Sequence, residues 1–118
     1  MVDFFGPTDL EAIFNQGLFQ EIALIAVIGQ SYSQDSTMYK QSSPINFVNN
    51  QSPPTIALQG GLDDIVIPEQ TTALIDKLTA AGVSNQLITY PDEGHGFTDA
   101  DNSDALNKIL PFLAAHVK

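Results

Sequence analysis

Short apolar runs alternate with longer amphipathic ones along this chain, separated by polar, turn-forming stretches. Val2 to Phe5 predicts a short strand. Thr55-Ile56-Ala57-Leu58-Gln59 is a continuous run of the kind found in a buried parallel strand, and Gly60-Gly61 ends it. Gln86-Leu87-Ile88-Thr89-Tyr90-Pro91 predicts another strand. Between and after these, the spacing turns helical. Thr8 or Asp9 can cap a helix starting near Leu10, with Glu11 favourably placed in its first turn, and Gly17 interrupts it. From Leu18 to Ile28 apolar residues lie on nearly every side of a helical projection, which predicts burial on more than one face. Glu69 to Ala81 carries Leu74 and Leu78 at helical spacing and stops at Gly82. Asn102 to Lys118 forms a last helix with Ala105, Ile109, Phe112 and Leu113 on one stripe, and Pro111 is expected to bend or restart it. Ser31 to Ser43 is polar and turn-rich, and Asn49 to Pro54 is a loop. Strands alternating with helices predict a layered α/β domain with a parallel sheet.

Length and composition set limits. At 118 residues the chain is within the range of one domain and can bury a real core. Fourteen acidic residues against four lysines and no arginine give a formal charge of −10, which argues against a nucleic-acid partner. Without cysteine there is neither a disulfide framework nor a thiolate metal site, and the redox compartment is left open. The two histidines lie far apart with scattered carboxylates, so neither a metal nor another cofactor is expected. No run reaches the about 18 apolar residues of a membrane span, and no signal-peptide pattern opens the chain.

The candidate chemistry sits in two loops. Asp63-Asp64 follows the strand ending at Gln59, and Asp92-Glu93-Gly94-His95-Gly96 follows the strand ending at Pro91, so both loops fall at the same end of the sheet. Open α/β sheets place ligands at that end. Taken singly, an Asp-Asp pair before Pro68-Glu69 is ordinary turn and helix-start chemistry, and a lone loop histidine is ordinary surface. Taken together, they match the acid and base of a Ser-His-Asp system: a serine hydroxyl attacks a carbonyl when an imidazole takes its proton, and a carboxylate fixes the imidazole's tautomer and stabilises its cation. His116, near the end of the last helix, fits a favourable C-terminal charge or a solvated side chain.

Three segments, VDFFGPTDL (Val2 to Leu10), YKQSSPINFVNNQSPPTIALQ (Tyr39 to Gln59) and Gly60 to Phe97, resemble in order and spacing the C-terminal half of an α/β-hydrolase of the esterase/lipase-like and prolyl-oligopeptidase-like branch. The resemblance implies a partial α/β-hydrolase fold of about three parallel strands with flanking helices over residues 1–118. It places the acid in a Gly-x-x-Asp-x-x-Val-Pro-like loop and the base in Gly94-His95-Gly96-Phe97. Counting back four residues from Pro68 gives Asp64; counting three from Gly60 gives Asp63. A count from Gly61 agrees with Pro68, so Asp64 is the expected acid, Asp63 a loop carboxylate, and His95 the expected base.

The family's nucleophile elbow, Gly-x-Ser-x-Gly, does not occur in this sequence. Gly29-Gln30-Ser31-Tyr32-Ser33 imitates it, but its last glycine is replaced by Ser33 and it follows the Gly6-Pro7-Thr8-Asp9-Leu10 turn, whereas the family's elbow precedes it. The expectation is therefore a piece of a serine hydrolase acting on small-molecule carboxylic esters, less readily on peptides, and inactive alone. The alternative is a non-catalytic remnant serving as an oligomeric or interaction domain. In the complete fold the strand at Val2 to Phe5 pairs on both sides. Its open edge, with the many-sided apolar helix at Leu18 to Ile28, predicts a homodimer or higher assembly.

Overall fold

The computed structural model describes residues 1–117. Its sheet has three parallel strands, β1 (Val2–Phe4), β2 (Thr55–Gly60) and β3 (Asn85–Tyr90), in the order β1-β2-β3. Val2 pairs with Ile56 and Phe4 with Leu58, while Thr55 to Gly60 run in register with Asn85 to Tyr90. Parallel neighbours require crossovers. Helices α1 (Leu10–Phe14), α2 (Leu18–Ile28) and α3 (Ser36–Gln41) and a 3-10 turn (Pro44–Phe47) connect β1 to β2. Helix α4 (Pro68–Ala80) connects β2 to β3, and α5 (Asp99–His116) follows β3. This is the partial α/β-hydrolase fold expected from the sequence.

Strand β2 is buried along its whole length, and the period of two sorts its side chains between two layers. Ile56 and Leu58 pack with Tyr90 and with Ala105, Ile109 and Phe112 of α5, against which Leu113 is partly buried. On the other side Gln59 accepts a hydrogen bond from the Thr71 hydroxyl of α4 at 2.6 Å. Leu74 and Leu78 of α4 pack there with Val83. Each fully buried aliphatic side chain of this kind contributes about 1.5–3 kcal/mol. A third cluster, Leu10, Ile13, Leu24, Tyr39 and Val66, joins α1, α2 and α3 to the loop after β2.

Local signals fix most of the boundaries. Asp9, rather than Thr8, caps α1: its carboxylate accepts from the Glu11 and Ala12 amides at 3.1 Å each. Thr8 is buried instead and donates to the Gln70 carbonyl at 2.8 Å. Pro68 opens α4 at a position where its missing N–H costs nothing. Gly82, at φ +73°, turns the chain out of α4 in the left-handed conformation that glycine adopts freely.

Expectations for three of the helices are corrected. Helix α5 begins at Asp99 rather than Asn102, because Thr98 caps it and Asp99 and Asp101 suit its positive end. It continues through Pro111 as one helix to His116, and Lys118 lies outside the described residues. The turn-rich stretch after Ser31 contains α3, capped by Asp35 and anchored by buried Tyr39, whose hydroxyl donates to the Gln30 carbonyl at 2.8 Å. Helix α2 buries only Leu24; Leu18, Phe19, Ile22 and Val27 are 70 %, 65 %, 59 % and 81 % exposed. It lies on α1 through one face, and among the described residues nothing covers the other.

Candidate active site

Two glycines bring the β2 and β3 loops together. A side chain at Gly60 would put its Cβ 2.2 Å from the Gly94 carbonyl oxygen, and one at Gly61 would lie 2.7 Å from that of Pro91. Backbone bonds cross the same gap, from Gly61 N to Tyr90 O at 2.8 Å and from Leu62 N to Glu93 O at 2.9 Å. The loops are therefore held rigidly, backbone against backbone, at the C-terminal end of the sheet.

Across this junction Asp63 meets His95. Asp63 Oδ2 lies 2.9 Å from His95 Nδ1, and the aspartate side chain is fully buried. Its Oδ1 accepts from the amides of Ile65 at 3.0 Å and Val66 at 2.9 Å, a local closure that turns the carboxylate inward under its own loop. Gln59 Nε2 donates to Oδ2 at 3.2 Å and is itself held by Thr71. The buried carboxylate is thus solvated by neutral donors as well as by the imidazole. Because a carboxylate only accepts, Nδ1 carries a proton, which in the neutral imidazole leaves the lone pair on Nε2. The His95 side chain is 31 % exposed.

The expected contact between Asp64 and His95 is corrected: Asp63 makes it. Asp64 is exposed, and its backbone carbonyl accepts from Gln20 Nε2 at 3.2 Å, tying α2 to the loop. A shallow cleft of about 360 Å³ opens there, lined by Phe19, Gln20, Asp64 and Ile65. The loop after β2 turns rather than running extended, and choosing the inner carboxylate needed the closure that the Ile65 and Val66 amides make. The count from Gly60 was the signal that pointed to Asp63.

Residues with no role assigned from the sequence complete the surroundings. The Phe5 ring lies 4.9 Å from that of His95 and 5.2 Å from that of Phe97, and Phe97 lies 4.8 Å from Tyr90. Glu93, next to Gly94, accepts from the Thr98 amide at 2.8 Å, which ties the histidine loop to the start of α5. Bonding to Thr98 holds the Glu93 carboxyl below its ordinary range, whereas its neighbour Asp101, hydrogen-bonded to Glu93, is pushed up. Ser31 bonds within its own turn, to Ser33 Oγ and Gln34 Oε1 at 3.0 Å each, and not to His95. His116 lies at the far end of α5, beside Ser84 at 3.0 Å. Among the described residues no group of three or more His, Cys, Asp or Glu could hold a metal ion, and no helix is long and apolar enough to cross a membrane.

The model of the prolyl oligopeptidase family matches residues 13–118. The chain belongs to the prolyl oligopeptidase family. Among relatives, it is 28 % identical over 80 residues to Esterase LipC of Mycobacterium tuberculosis, covering 65 % of this chain and 19 % of that protein. Among solved structures, a truncated form of a carbohydrate esterase from gut microbiota is 28 % identical, with a TM-score of 0.70 over 91 % of this chain and 41 % of the other. A puromycin-hydrolyzing peptidase of Mycobacterium tuberculosis is 24 % identical and superposes with a TM-score of 0.87 over 98 % of this chain and 18 % of its own, a likeness of fold. This family member spans from about a fifth to two fifths of the length of these hydrolases, and it carries the Asp63–His95 pair.

Proposed function

We propose that this segment supplies the acid and the base of a serine hydrolase, with Asp63 orienting His95 and His95 Nε2 taking the nucleophile's proton. The observation that carries the reading is the 2.9 Å contact from a fully buried, four-times-bonded carboxylate to a partly exposed imidazole. In this reading Asp63 holds the Nδ1–H tautomer and stabilises the imidazolium as it forms, and His95 later returns the proton to the leaving group. The substrate class is a carboxylic ester, in keeping with the esterases among its relatives, and peptides rank second.

The sequence holds no Gly-x-Ser-x-Gly, and Ser31 is turned away into its own turn, so the chain by itself should be inactive. Its hydrolysis of a short nitrophenyl ester should be no faster than that by free imidazole at equal histidine concentration. Turnover abolished by Ser31→Ala would overturn this. In a longer chain that joins this segment to a Gly-x-Ser-x-Gly turn, Asp63→Asn should lower kcat by about 10⁴-fold and His95→Ala by about 10⁶-fold. Asp64→Asn should leave kcat essentially unchanged. A fall with Asp64→Asn and none with Asp63→Asn would reverse the assignment.

A second reading, assembly of the chain with a copy of itself, is favoured by a separate observation. Strand β1 pairs on one side only, and the uncovered face of α2 presents Leu18, Phe19, Ile22 and Val27 with Glu21 as the one charge in its first turn. That face is nearly neutral on a chain of formal charge −10, so two copies can meet there without bringing their acidic surfaces together.

A further inference from the structure

We propose that Phe5 is a positioning residue for His95, its ring fixing the plane of the imidazole while Asp63 fixes one edge. The inference rests on the reading of His95 and Asp63 as base and orienting acid. Among the described residues, Phe5 is the one non-glycine with positive φ, at +40°. A bulky residue occupies that region when its surroundings leave no alternative, and such strain gathers where a side chain is held for a purpose.

The surroundings here can be named. The Phe5 amide donates to the Leu58 carbonyl at 2.8 Å, carrying the β1–β2 ladder one residue past the strand. The Gly6 amide then donates to Asp3 Oδ1 at 3.1 Å and closes a tight turn. A Cβ at position 6 would sit 2.4 Å from Asp3 Oδ1 and would have to push that carboxylate aside, at the expense of its bond to the Gly6 amide. The glycine of this turn is thus committed to the Asp3 carboxylate, and the left-handed conformation falls on its phenylalanine neighbour.

That strained backbone delivers a ring to the imidazole. Phe5 lies 4.9 Å from His95 with the planes inclined at 58°, and it meets Phe97 edge-on at 5.2 Å and 74°. Phe97 belongs to the histidine's own loop, so the Phe5 ring braces both the imidazole and the loop that carries it. A single hydrogen bond at Nδ1 leaves the imidazole free to swing about that bond. An aromatic wall removes this freedom and keeps Nε2 directed at one point.

The test is nuclear magnetic resonance of the full chain, reading the exchange of the His95 Nδ1 proton with water and the ratio of ring tautomers from nitrogen couplings. Phe5→Gly removes the ring and relieves the φ strain; Phe5→Leu keeps apolar volume without an aromatic face; Phe5→Trp restores one. Both ring-deleting variants should exchange about tenfold faster, the equivalent of one lost aromatic contact, and should populate the second tautomer, with Phe5→Trp close to the parent. Exchange and tautomer ratio indistinguishable from the parent in Phe5→Leu would overturn the proposal even if Phe5→Gly unfolds. Asp63→Asn separates the two failures. If it leaves the Nδ1 proton unchanged, the pairing of base and acid fails; if it abolishes the signal while the Phe5 variants do not alter it, only the role of Phe5 fails.

Discussion

At the scale of single residues, two neighbouring aspartates of equal charge do different work because one is buried and bonded and the other is not. Removing Asp63 leaves the Ile65 and Val66 amides without their acceptor, while Gln59 Nε2 keeps the Gly60 and Val66 carbonyls. Asp63→Ala should therefore cost about 1–3 kcal/mol of folding stability. Asp64→Ala, on the surface, should stay within about 0.5 kcal/mol in the same denaturant titration. Asp3 offers a pH-dependent counterpart. Burial raises its carboxyl above the ordinary value, partly offset by the Gly6 amide, and its Oδ2 is buried without a partner. The folded chain thus binds that proton more tightly than the unfolded one, so this group lowers stability as pH rises from the unfolded to the folded titration range, and the full penalty stands at neutral pH. An asparagine at this position would keep the acceptor for Gly6 without the charge. Thermal melts of Asp3→Asn should show a higher Tm than the parent at pH 7, with the gain shrinking as pH falls through the carboxylate range.

At the scale of elements, the site depends on the seam between the β2 and β3 loops more than on either loop alone. Gly60→Ala would force a methyl group against the Gly94 and Glu93 carbonyls, where backbone rather than a flexible side chain must yield. Overpacking of this kind costs about 1–3 kcal/mol. It should also displace His95 from Asp63, visible as a changed His95 imidazole resonance in the variant; an unchanged resonance would show that the seam does not set the pair. Element identity was legible where periodicity was strong, as in β2, α4 and the Ala105–Ile109–Phe112 stripe. It failed for α3, six residues long, whose signals are one capping aspartate and one buried tyrosine. A helix that short draws its stability from tertiary packing, which local pattern does not display.

At the scale of the whole molecule, the open edge of β1 and the uncovered face of α2 should bring copies of the chain together. Sedimentation equilibrium at micromolar concentration should find a dimer or larger species, and Phe19→Asp with Ile22→Asp should return it to the monomer. A well-folded parent monomer under these conditions would mean that the apolar face tolerates water and that assembly is not a property of this chain.

The sequence by itself determined the layered α/β plan, the parallel strands, the family and the two loops that carry the chemistry. These follow from period, turn residues and motif spacing, all of which act over a few positions. Tertiary structure decided which aspartate turns inward, because that depends on the Ile65 and Val66 amides and on a glutamine from inside the sheet. It also decided that Phe5 meets His95, far along the chain, since only the β1–β2 ladder and the Asp3–Gly6 turn bring that ring across. The faces of α2 went the same way: a helical projection gives how many sides are apolar, but what covers them depends on how many layers the rest of the molecule supplies, and here the α1 side alone is covered.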